Sequence, residues 1–492
     1  MLSTVKTRNP LDLAGKDLTT MMAEIIPELA AFLDRLPDSG VAFPPDATTF
    51  INKNAAVTLQ PPPEHGRPLR ELLDIIVQAA ENDTNTAGGG ALAFIPGSGL
   101  VSSAAADLIS GIFNRYTSVS AASPAMVALE AEVLRWVASL MGLPETSGGF
   151  LTSGASMAIF SAVVCARNAR LPENFLDGVV YTTDQTHACL SKEMRLAGFP
   201  ARALHFVPTD EHLRMNVEAL RDMIAQDRKA GLIPFCVAAN AGTTNVGTID
   251  PLLEIATVAK EEQLWFHVDG AYGGFFQLTE RGKERLAGIE YADSLVVDFH
   301  KSMFLPFGTG CLLVRDRTIL SRAHSGVEAF CLRDVPCPDP SDALLPEFRD
   351  MSPELTRPNR GLRVWLPLHL HGISPFRDAL NEKLDLTEHA YNELQKMPQI
   401  SVLPDPDLSI VGFYCRTESG NTMDDDIATE ELVKYANGTG RVHLSTTRVH
   451  ERTVARIAIL NVRTTAAIVD ETLRIIGTYL EENVPAAQEA LA

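Results

Sequence analysis

Polar side chains that can do chemistry follow four apolar runs of this sequence, each at the point where the run ends. They are His187, the pair Thr243 and Thr244, Asp269 and Lys301. Another run ends in TSGAS at 152–156, whose small residues let backbone N–H groups approach an anion. Ligands of open α/β sheets bind outside the carboxyl ends of the strands. The sequence therefore predicts an amine, a carboxylate, an imidazole and an anion-binding turn at one rim.

This combination of groups suits pyridoxal phosphate (PLP). The cofactor needs an amine for its aldehyde, a carboxylate that keeps its ring nitrogen protonated, and a binding turn for its phosphate. We expect Lys301 to form the Schiff base, Asp269 to lie against the ring nitrogen, and His187 to lie flat on the ring. Ala155 and Ser156 would hold the phosphate. Each residue alone has an ordinary structural explanation, such as a solvated charge or a turn cap, so the prediction depends on the combination.

Short apolar runs alternate with helical patterns between about residues 95 and 320, which predicts βα units and a mostly parallel sheet. The expected strands are 149–152, 179–182, 235–239, 264–268, 294–297 and 310–314. The expected helices between them are 155–169, 188–197, 215–229 and 251–262. A Pro-rich segment without periodicity, 327–350, predicts a long mobile loop of the kind that covers sites.

The two ends of the chain have different patterns. Residues 17–36 form an amphipathic helical pattern, with Asp17 as a cap and Pro27 as a kink, and a second helical pattern follows from Leu69. Two such helices make a poor core, so we expect them to pack on something else, such as another subunit. Helical patterns at 362–372, 375–395, 428–436 and 466–482, with apolar runs at 410–414 and 456–460, predict a small α+β domain at the other end.

Composition narrows the class of protein. The chain has 42 basic and 62 acidic side chains, a formal net charge of −20, which disfavours nucleic-acid binding. Its 7 cysteines include no CxxC pair, which argues against a disulfide framework or a zinc site and favours a reducing compartment. Neither a signal peptide nor an apolar run of membrane-spanning length is found. We expect a cytoplasmic protein without a metal or a membrane partner.

Several segments are similar to one family. TSGASMAIF, DQTHACLSKEMRLAGF, ANAGTTNVGTIDPL, WFHVDGAYGGFF and SLVVDFHKSMFLPFGTG resemble, in order and spacing, the PLP-dependent group II amino-acid decarboxylases. The resemblance continues through 351–372 and 441–465 and covers nearly the whole chain. It implies an α/β fold of the aspartate aminotransferase type (PLP fold type I), with an N-terminal helical dimerisation segment (1–94), a large PLP-binding domain (95–373) and a small C-terminal α+β domain (374–492). It also implies a homodimer with active sites at the subunit interface.

The resemblance also implies roles for single residues. Lys301, His187 and Asp269 would be catalytic, with Lys301 holding the cofactor as an internal aldimine. Ala155, Ser156 and Asp298 would lie near the phosphate, and Thr244 would support the network beside the ring. The residues expected to bind the cofactor are, in chain order, Ala155, Ser156, His187, Thr244, Asp269, Asp298, His300 and Lys301. The implied reaction is decarboxylation of an L-α-amino acid.

Some residues depart from the family pattern. Members often carry a Tyr on the mobile loop, yet no Tyr occurs between Tyr291 and Tyr391, and the expected loop aromatics are Phe330 and Phe348. Loss of that Tyr is associated in the family with oxidative deamination to an aldehyde, so an aldehyde product is an alternative. Met157, Ser302 and Val127 also replace residues common in the family, which argues against assigning an aromatic substrate by default.

Three further alternatives account for parts of the pattern. A PLP-dependent carbon–carbon lyase keeps the cofactor but releases no carbon dioxide. A serine hydrolase is a remote possibility, because GASMA approximates a nucleophile elbow and Ser156, Asp269 and His300 occur in the order of a hydrolase triad. That interpretation leaves Lys301 without a role. A non-catalytic scaffold would need neither Lys301 nor Asp269.

Overall fold

The structure is a computed structural model that describes residue 9 and residues 11–41, 61–95, 97–326 and 345–484. Within these ranges the helices are α1 (Gly15–Arg35), α2 (Leu69–Asn82), α3 (Val101–Phe113), α4 (Pro124–Leu140), α5 (Ala155–Arg170), α6 (Cys189–Leu196), α7 (Val217–Lys229), α8 (Leu252–Glu261), α9 (Glu280–Arg285), α10 (Phe299–Ser302), α11 (Thr318–His324), α12 (Phe348–Met351), α13 (Gly361–His371), α14 (Ser374–Leu394), α15 (Thr422–Gly438) and α16 (Ala466–Asn483). The strands are β1 (Gly148–Thr152), β2 (Gly178–Thr182), β3 (Leu204–Phe206), β4 (Ile233–Asn240), β5 (Trp265–Asp269), β6 (Ser294–Asp298), β7 (Gly310–Val314), β8 (Ile400–Val402), β9 (Ile410–Cys415), β10 (Ser445–Val449) and β11 (Arg452–Ala458).

The larger sheet has seven strands in the order β1-β7-β6-β5-β4-β2-β3. Only β7 runs against its neighbours, β1 and β6, while the other pairs are parallel. Strands β6 and β7 are buried along their whole length, as expected where helices cover both faces of a sheet. Helix α5 packs on β6 and β7, and α7 and α8 pack on β4. The prediction of a mostly parallel sheet in an α/β fold is confirmed.

The smaller sheet is antiparallel, in the order β10-β11-β9-β8. Helix α15 packs on β9 and β11, and α16 packs on both α14 and α15. A second hydrophobic core lies between these helices and the sheet, around Phe413, Leu432 and Ile476, each fully buried. The two sheets lie on either side of residue 373, but the division at residues 94 and 373 stays a proposal.

The six predicted strands of the larger sheet occur, with ends shifted by at most two residues. Strand β3 was missed because three residues are too few to show a periodic pattern. Helices α3 and α4 were not predicted either. Asp17 caps α1 from inside its first turn, since Asp17 Oδ2 accepts a hydrogen bond from the Ala14 N–H at 2.8 Å. Pro27 lies inside α1 without ending it.

Helix α1 buries none of its residues within the described chain. Its outward side carries Ile26, Leu29 and Phe32 at spacings of three residues, all exposed. Ile76 of the neighbouring α2 is also exposed. The expectation that the N-terminal helices make a poor core by themselves agrees with this packing.

No helix within the described ranges has both the length and the apolar character needed to cross a bilayer.

The segment predicted as a mobile loop, 327–350, falls largely on residues 327–344, which lie outside the described residues together with Phe330. Phe348, the other expected loop aromatic, is in a different setting. It begins helix α12, is fully buried, and lies under the Arg357 guanidinium, whose carbon is 4.4 Å from the ring centroid. The assignment of Phe348 to the mobile loop was wrong, because the residue begins a helix and its ring packs against the segment that leads to α13.

Candidate active site

A cavity of about 340 Å³ opens at the carboxyl ends of β4, β5 and β6. It is lined by every residue that the sequence predicted to bind the cofactor, namely Ala155, Ser156, His187, Thr244, Asp269, Asp298, His300 and Lys301. Its other lining residues are Ser153, Gly154, Cys189, Asn240, Gly242, Ala271 and Tyr272. The structure thus brings together side chains that are spread over nearly 150 residues of chain.

Lys301 lies in the short helix α10, which follows β6 directly. Its Nζ is 3.2 Å from Asp298 Oδ2, and His300 Nε2 is 3.7 Å from the same oxygen. The Asp298 side chain is almost completely buried, while about a fifth of the Lys301 side chain is exposed. The Ser302 hydroxyl donates to the Tyr272 carbonyl oxygen at 2.8 Å and fixes α10 against the turn after β5. Lys301 therefore projects from a fixed backbone and carries a buried counter-ion.

Asp269 is the last residue of β5 and lies between two neighbouring strands. It pairs in register with Asn240 of β4 and with Val296 of β6. Its Oδ1 accepts a hydrogen bond from the Ala271 N–H at 3.1 Å, which fixes the carboxylate at the strand end. The carboxylate lines the cavity between the residues that follow β4, among them Thr244, and those that follow β6, among them Lys301.

His187 is held by the start of α6. The Cys189 N–H donates to His187 Nδ1 at 3.2 Å, so the neutral imidazole carries its proton on Nε2. Burial lowers the pKa of His187; the carboxylates of Asp269 and Asp298 oppose this shift, and the Lys301 charge adds to it. The ring is therefore neutral at physiological pH, as suits an imidazole that packs on an aromatic ring.

The anion-binding turn follows β1. The Thr152 hydroxyl donates to the Gly154 carbonyl at 2.9 Å and accepts from the Gly154 N–H at 3.2 Å. Gly154 has φ 153°, and α5 begins at the next residue without a side-chain cap, so its first N–H groups stay open for an anion. A Cβ at Gly310 would lie 2.7 Å from Gly154 Cα, so Gly310 must be a glycine for this close approach.

Thr244 is held through its main chain. Arg456 Nη2, from β11 of the smaller sheet, donates to the Thr244 carbonyl oxygen at 2.6 Å. Arg456 is buried, and burial lowers its pKa to about 10, so the guanidinium remains charged at neutral pH. Nothing in the sequence pattern indicated this contact, because more than 200 residues separate the two positions.

The residues present fit PLP. A primary amine, a carboxylate at a strand end, a neutral imidazole and an uncapped helix N-terminus share one cavity. In addition, Asp298 Oδ1 is buried and has no hydrogen-bond partner among the described residues. This oxygen lies close to Gly310 and Gly154, at the base of the anion-binding turn. An unpartnered buried acceptor at this point fits a ligand or water that donates a hydrogen bond.

The hydrolase alternative does not agree with the geometry. His300 Nδ1 donates to the Thr309 carbonyl at 3.0 Å, and its Nε2 faces Asp298. Within the described ranges no hydrogen bond joins His300 to Ser156 or Asp269, so a catalytic triad does not form.

Of the residues that depart from the family pattern, Val127 is fully buried in α4 and does not line the cavity.

Sequence reasoning missed some of the lining residues. Asn240 lies one residue beyond the predicted end of its strand, so a longer strand would have placed it at the rim. Tyr272 stands inside the quoted segment WFHVDGAYGGFF but was given no role. Cys189 lines the cavity two residues after His187, and burial raises the pKa of its thiol to about 12, so it stays protonated.

Comparison with known proteins agrees with this site. The family model described as the pyridoxal-dependent decarboxylase conserved domain matches residues 91–416. An aromatic-L-amino-acid decarboxylase of Bacillus atrophaeus is 34% identical over 422 residues, which cover 85% of this chain and 87% of the relative. An L-2,4-diaminobutyrate decarboxylase of Rhizobium meliloti (strain 1021) is 31% identical over 363 residues, 73% of this chain and 71% of the relative.

A solved structure shows the same fold. The crystal structure of Oryza sativa TDC with PLP and tryptamine matches with a TM-score of 0.89 at 24% identity, covering 97% of this chain and 100% of the other. The family model spans more than half of this chain, and the first relative is similar over most of its length. The chain belongs to the pyridoxal-dependent decarboxylase family and is a PLP-dependent carboxy-lyase.

Proposed function

We propose that this protein decarboxylates an L-α-amino acid to the corresponding amine, with PLP bound through Lys301. The observation that carries the proposal is that Lys301 and Asp269 stand at the ends of adjacent strands and face one cavity. The resemblance of the chain to amino-acid decarboxylases over most of its length supports the same reaction.

The roles of the side chains follow from their positions. Lys301 would bind the cofactor aldehyde, and the Asp269 carboxylate would keep a proton on the ring nitrogen. His187 would pack its neutral ring against the ring face, held in orientation by the Cys189 N–H. When bound, PLP supplies an electron sink for the bond to the departing carboxylate.

The phosphate would lie at the N-terminus of α5. Ala155 and Ser156 are the first residues of this helix, which has no side-chain cap, and the helix dipole favours negative charge at its N-terminus. Asp298 lies at the base of the same turn and holds the Lys301 ammonium in the absence of the cofactor. His300 lies against the same turn, since a Cβ at Gly154 would be 3.3 Å from His300 Cε1. Its own ring is held by the hydrogen bond from Nδ1–H to the Thr309 carbonyl oxygen.

We also propose that the protein is a homodimer in which α1 and α2 pack on the partner subunit. The exposed apolar side of α1, formed by Ile26, Leu29 and Phe32, supports this proposal, because a folded monomer gains nothing from exposing it.

A cytoplasmic location is supported by the described cysteines, which are all buried free thiols, namely Cys165, Cys189, Cys236, Cys311 and Cys415.

The first experiment is a visible absorption spectrum of the purified protein before and after borohydride, with peptide mapping of any reduced adduct. We expect a yellow protein that borohydride bleaches, with the label on Lys301. A protein that stays colourless after PLP is added would refute the cofactor assignment. A label on another lysine would refute the role of Lys301.

The second experiment measures carbon dioxide release from a panel of L-amino acids. The relatives named above differ in substrate, one aromatic and one a diamino acid, so the panel includes both classes. We expect carbon dioxide and an amine in equal amounts. An aldehyde with ammonia and peroxide would replace the amine if the chain were an aldehyde synthase, and turnover without carbon dioxide would indicate a carbon–carbon lyase.

A further inference from the structure

The segment that carries His187 is held on one side by the larger sheet. Asn240 Nδ2 donates to Thr186 Oγ1 at 2.9 Å and to Asp250 Oδ2 at 2.8 Å. Thr182 and Thr186 also share a hydrogen bond between their hydroxyls at 2.6 Å. These contacts fix the residue that precedes His187 to the ends of β2 and β4.

The same segment is held on its other side through Gln185. The Gln185 side chain is buried, and its Nε2 donates to Asp184 Oδ1 at 3.1 Å. Its Oε1 accepts from Asn245 Nδ2 at 3.2 Å. Asn245 belongs to the turn after β4 and is next to Thr244, which lines the cavity. This contact therefore joins the turns that carry His187 and Thr244.

Asn245 is in turn held by the smaller sheet. The Thr447 hydroxyl of β10 donates to Asn245 Oδ1 at 2.9 Å. Arg456 Nε of β11 donates to the Asn245 carbonyl oxygen at 2.6 Å. The side-chain oxygen of Asn245 thus accepts from the smaller sheet, and its side-chain nitrogen donates to Gln185. These two hydrogen bonds fix the orientation of the amide plane.

We propose that Asn245 is a positioning residue that couples the smaller sheet to the orientation of His187 through Gln185. The proposal rests on the proposed function, in which His187 packs on the cofactor ring. An amide is suited to this place because it donates to Gln185 and accepts from Thr447 at once. Without Asn245, the buried Gln185 oxygen would lose its donor. The segment before His187 would then be held only by the Thr186 contacts with Thr182 and Asn240.

The test compares three variants as purified holoenzymes and after removal of PLP. Asn245→Ala removes both side-chain bonds, and Thr447→Val removes only the bond from the smaller sheet while keeping the side-chain shape. Thr446→Val is the matched control, since Thr446 is the preceding residue on β10 and is exposed on the opposite face. The readouts are the PLP dissociation constant of the apoprotein, the visible circular dichroism of bound PLP, kcat, KM and the unfolding temperature.

We expect Asn245→Ala to raise the PLP dissociation constant about tenfold, to weaken the visible dichroism and to lower kcat with little change in KM. Thr447→Val should show the same changes to a smaller degree, about threefold, and Thr446→Val none. In a Gln185→Ala background, Asn245→Ala should add little, because the coupling partner is already absent.

Two results would overturn the proposal. One is an Asn245→Ala protein that has a lower unfolding temperature but wild-type PLP affinity, dichroism and kcat, which would indicate a purely structural residue. The other is full additivity of Asn245→Ala and Gln185→Ala. A wild-type protein that binds no PLP would refute the proposed function itself, and this proposal with it, so the two failures are distinguishable.

Discussion

Lys301 Nζ lies 3.2 Å from Asp298 Oδ2, so the reactive amine is paired with the carboxylate that ends the strand before its own helix. The sequence had assigned Asp298 to the surroundings of the phosphate. In the structure it has a second relationship, as the buried counter-ion of Lys301. The lysine that we propose as the anchor of the cofactor and the carboxylate at the base of the anion-binding turn are therefore in direct electrostatic contact.

Replacing Lys301 by Ala should abolish turnover, by at least about 1,000-fold, because no other amine lines the cavity in the described structure. The borohydride-stable label should disappear as well. Carbon dioxide release and peptide mapping measure the two effects. Lys192→Ala, which removes an exposed lysine on α6, is the control and should leave both unchanged. A fully active Lys301→Ala protein would contradict the assignment.

The same substitution should also destabilise the apoprotein. Without the ammonium, the buried Asp298 carboxylate loses its counter-ion, and we expect the free energy of unfolding to fall by about 2 kcal/mol. Adding Asp298→Asn to Lys301→Ala should recover most of this loss, since the amide carries no charge. Denaturant unfolding of the PLP-free proteins measures this free energy in the single and double variants. If the double variant is no more stable than the single one, the two residues are not paired in solution.

Asp269→Asn should lower kcat by at least about 100-fold, because an amide carries no charge that keeps a ring nitrogen protonated. The substituted side chain keeps an oxygen for the Ala271 N–H, so the strand end should not move. Steady-state kinetics with PLP in excess measures the effect. Asp222→Asn, on the exposed side of α7, should behave as wild type. Equal activity of Asp269→Asn and wild type would remove Asp269 from the catalytic residues.

His267 should make the protein acid-sensitive. It is buried two residues before Asp269, its Nδ1 shares a hydrogen bond of 2.8 Å with Ser294 Oγ, and burial lowers its pKa to about 4. An unfolded His has a pKa of about 6.5, so between these values the unfolded chain binds a proton that the folded chain does not. Stability should therefore fall as pH falls through this window, by up to about 3 kcal/mol from this group.

The measurement is the free energy of unfolding between pH 7 and pH 4 for wild type, His267→Gln and the control His212→Gln. His212 is exposed, so its substitution should leave the pH slope unchanged. The difference in slope between wild type and His267→Gln isolates this group from the other histidines with a lowered pKa, namely His187, His324 and His443, for which desolvation is the main cause. Identical slopes for the two proteins would show that His267 does not titrate in this way.

Phe348→Tyr should leave the ratio of amine to aldehyde unchanged. A Tyr restored on the mobile loop would favour amine over aldehyde, but the structure buries the Phe348 ring away from the cavity. The new hydroxyl should instead lower the free energy of unfolding by about 1–2 kcal/mol, because it adds an atom to a fully buried and packed ring position. Product analysis tests the first statement and denaturant unfolding tests the second. Phe307→Tyr, at an exposed position, is the control. For Phe330, which lies outside the described residues, we keep the prediction that Phe330→Tyr shifts an aldehyde-forming enzyme toward amine.

Leu29→Glu should weaken the proposed dimer. The substitution places a charge in the middle of the exposed apolar side of α1, and burying that charge at an interface is unfavourable. Sedimentation at several protein concentrations measures the dissociation constant, which we expect to rise at least tenfold. Ala30→Glu adds the same charge about 100° around the helix and should have a smaller effect. If Leu29→Glu and Ala30→Glu both keep the wild-type dissociation constant, the dimer interface does not include this side of α1.

The sequence determined six of the seven strands of the larger sheet and the polar residues that follow them. This was possible because each of these strands is a short apolar run and the site residues lie at its end or within five residues of it, as Asp269 ends β5 and Lys301 comes three residues after the end of β6. Parallel strands place their carboxyl ends on one rim, so local order in the sequence was enough to gather these side chains.

The tertiary structure decided how those side chains are held. Arg456 reaches Thr244, and Thr447 reaches Asn245, across about 200 residues of chain, which no local pattern indicates. It also decided that Phe348 is buried, because burial depends on which distant segment packs on the ring rather than on the neighbours in sequence. Periodicity and strand ends are local properties of a chain, whereas hydrogen-bond partners and burial arise only when separate segments pack together.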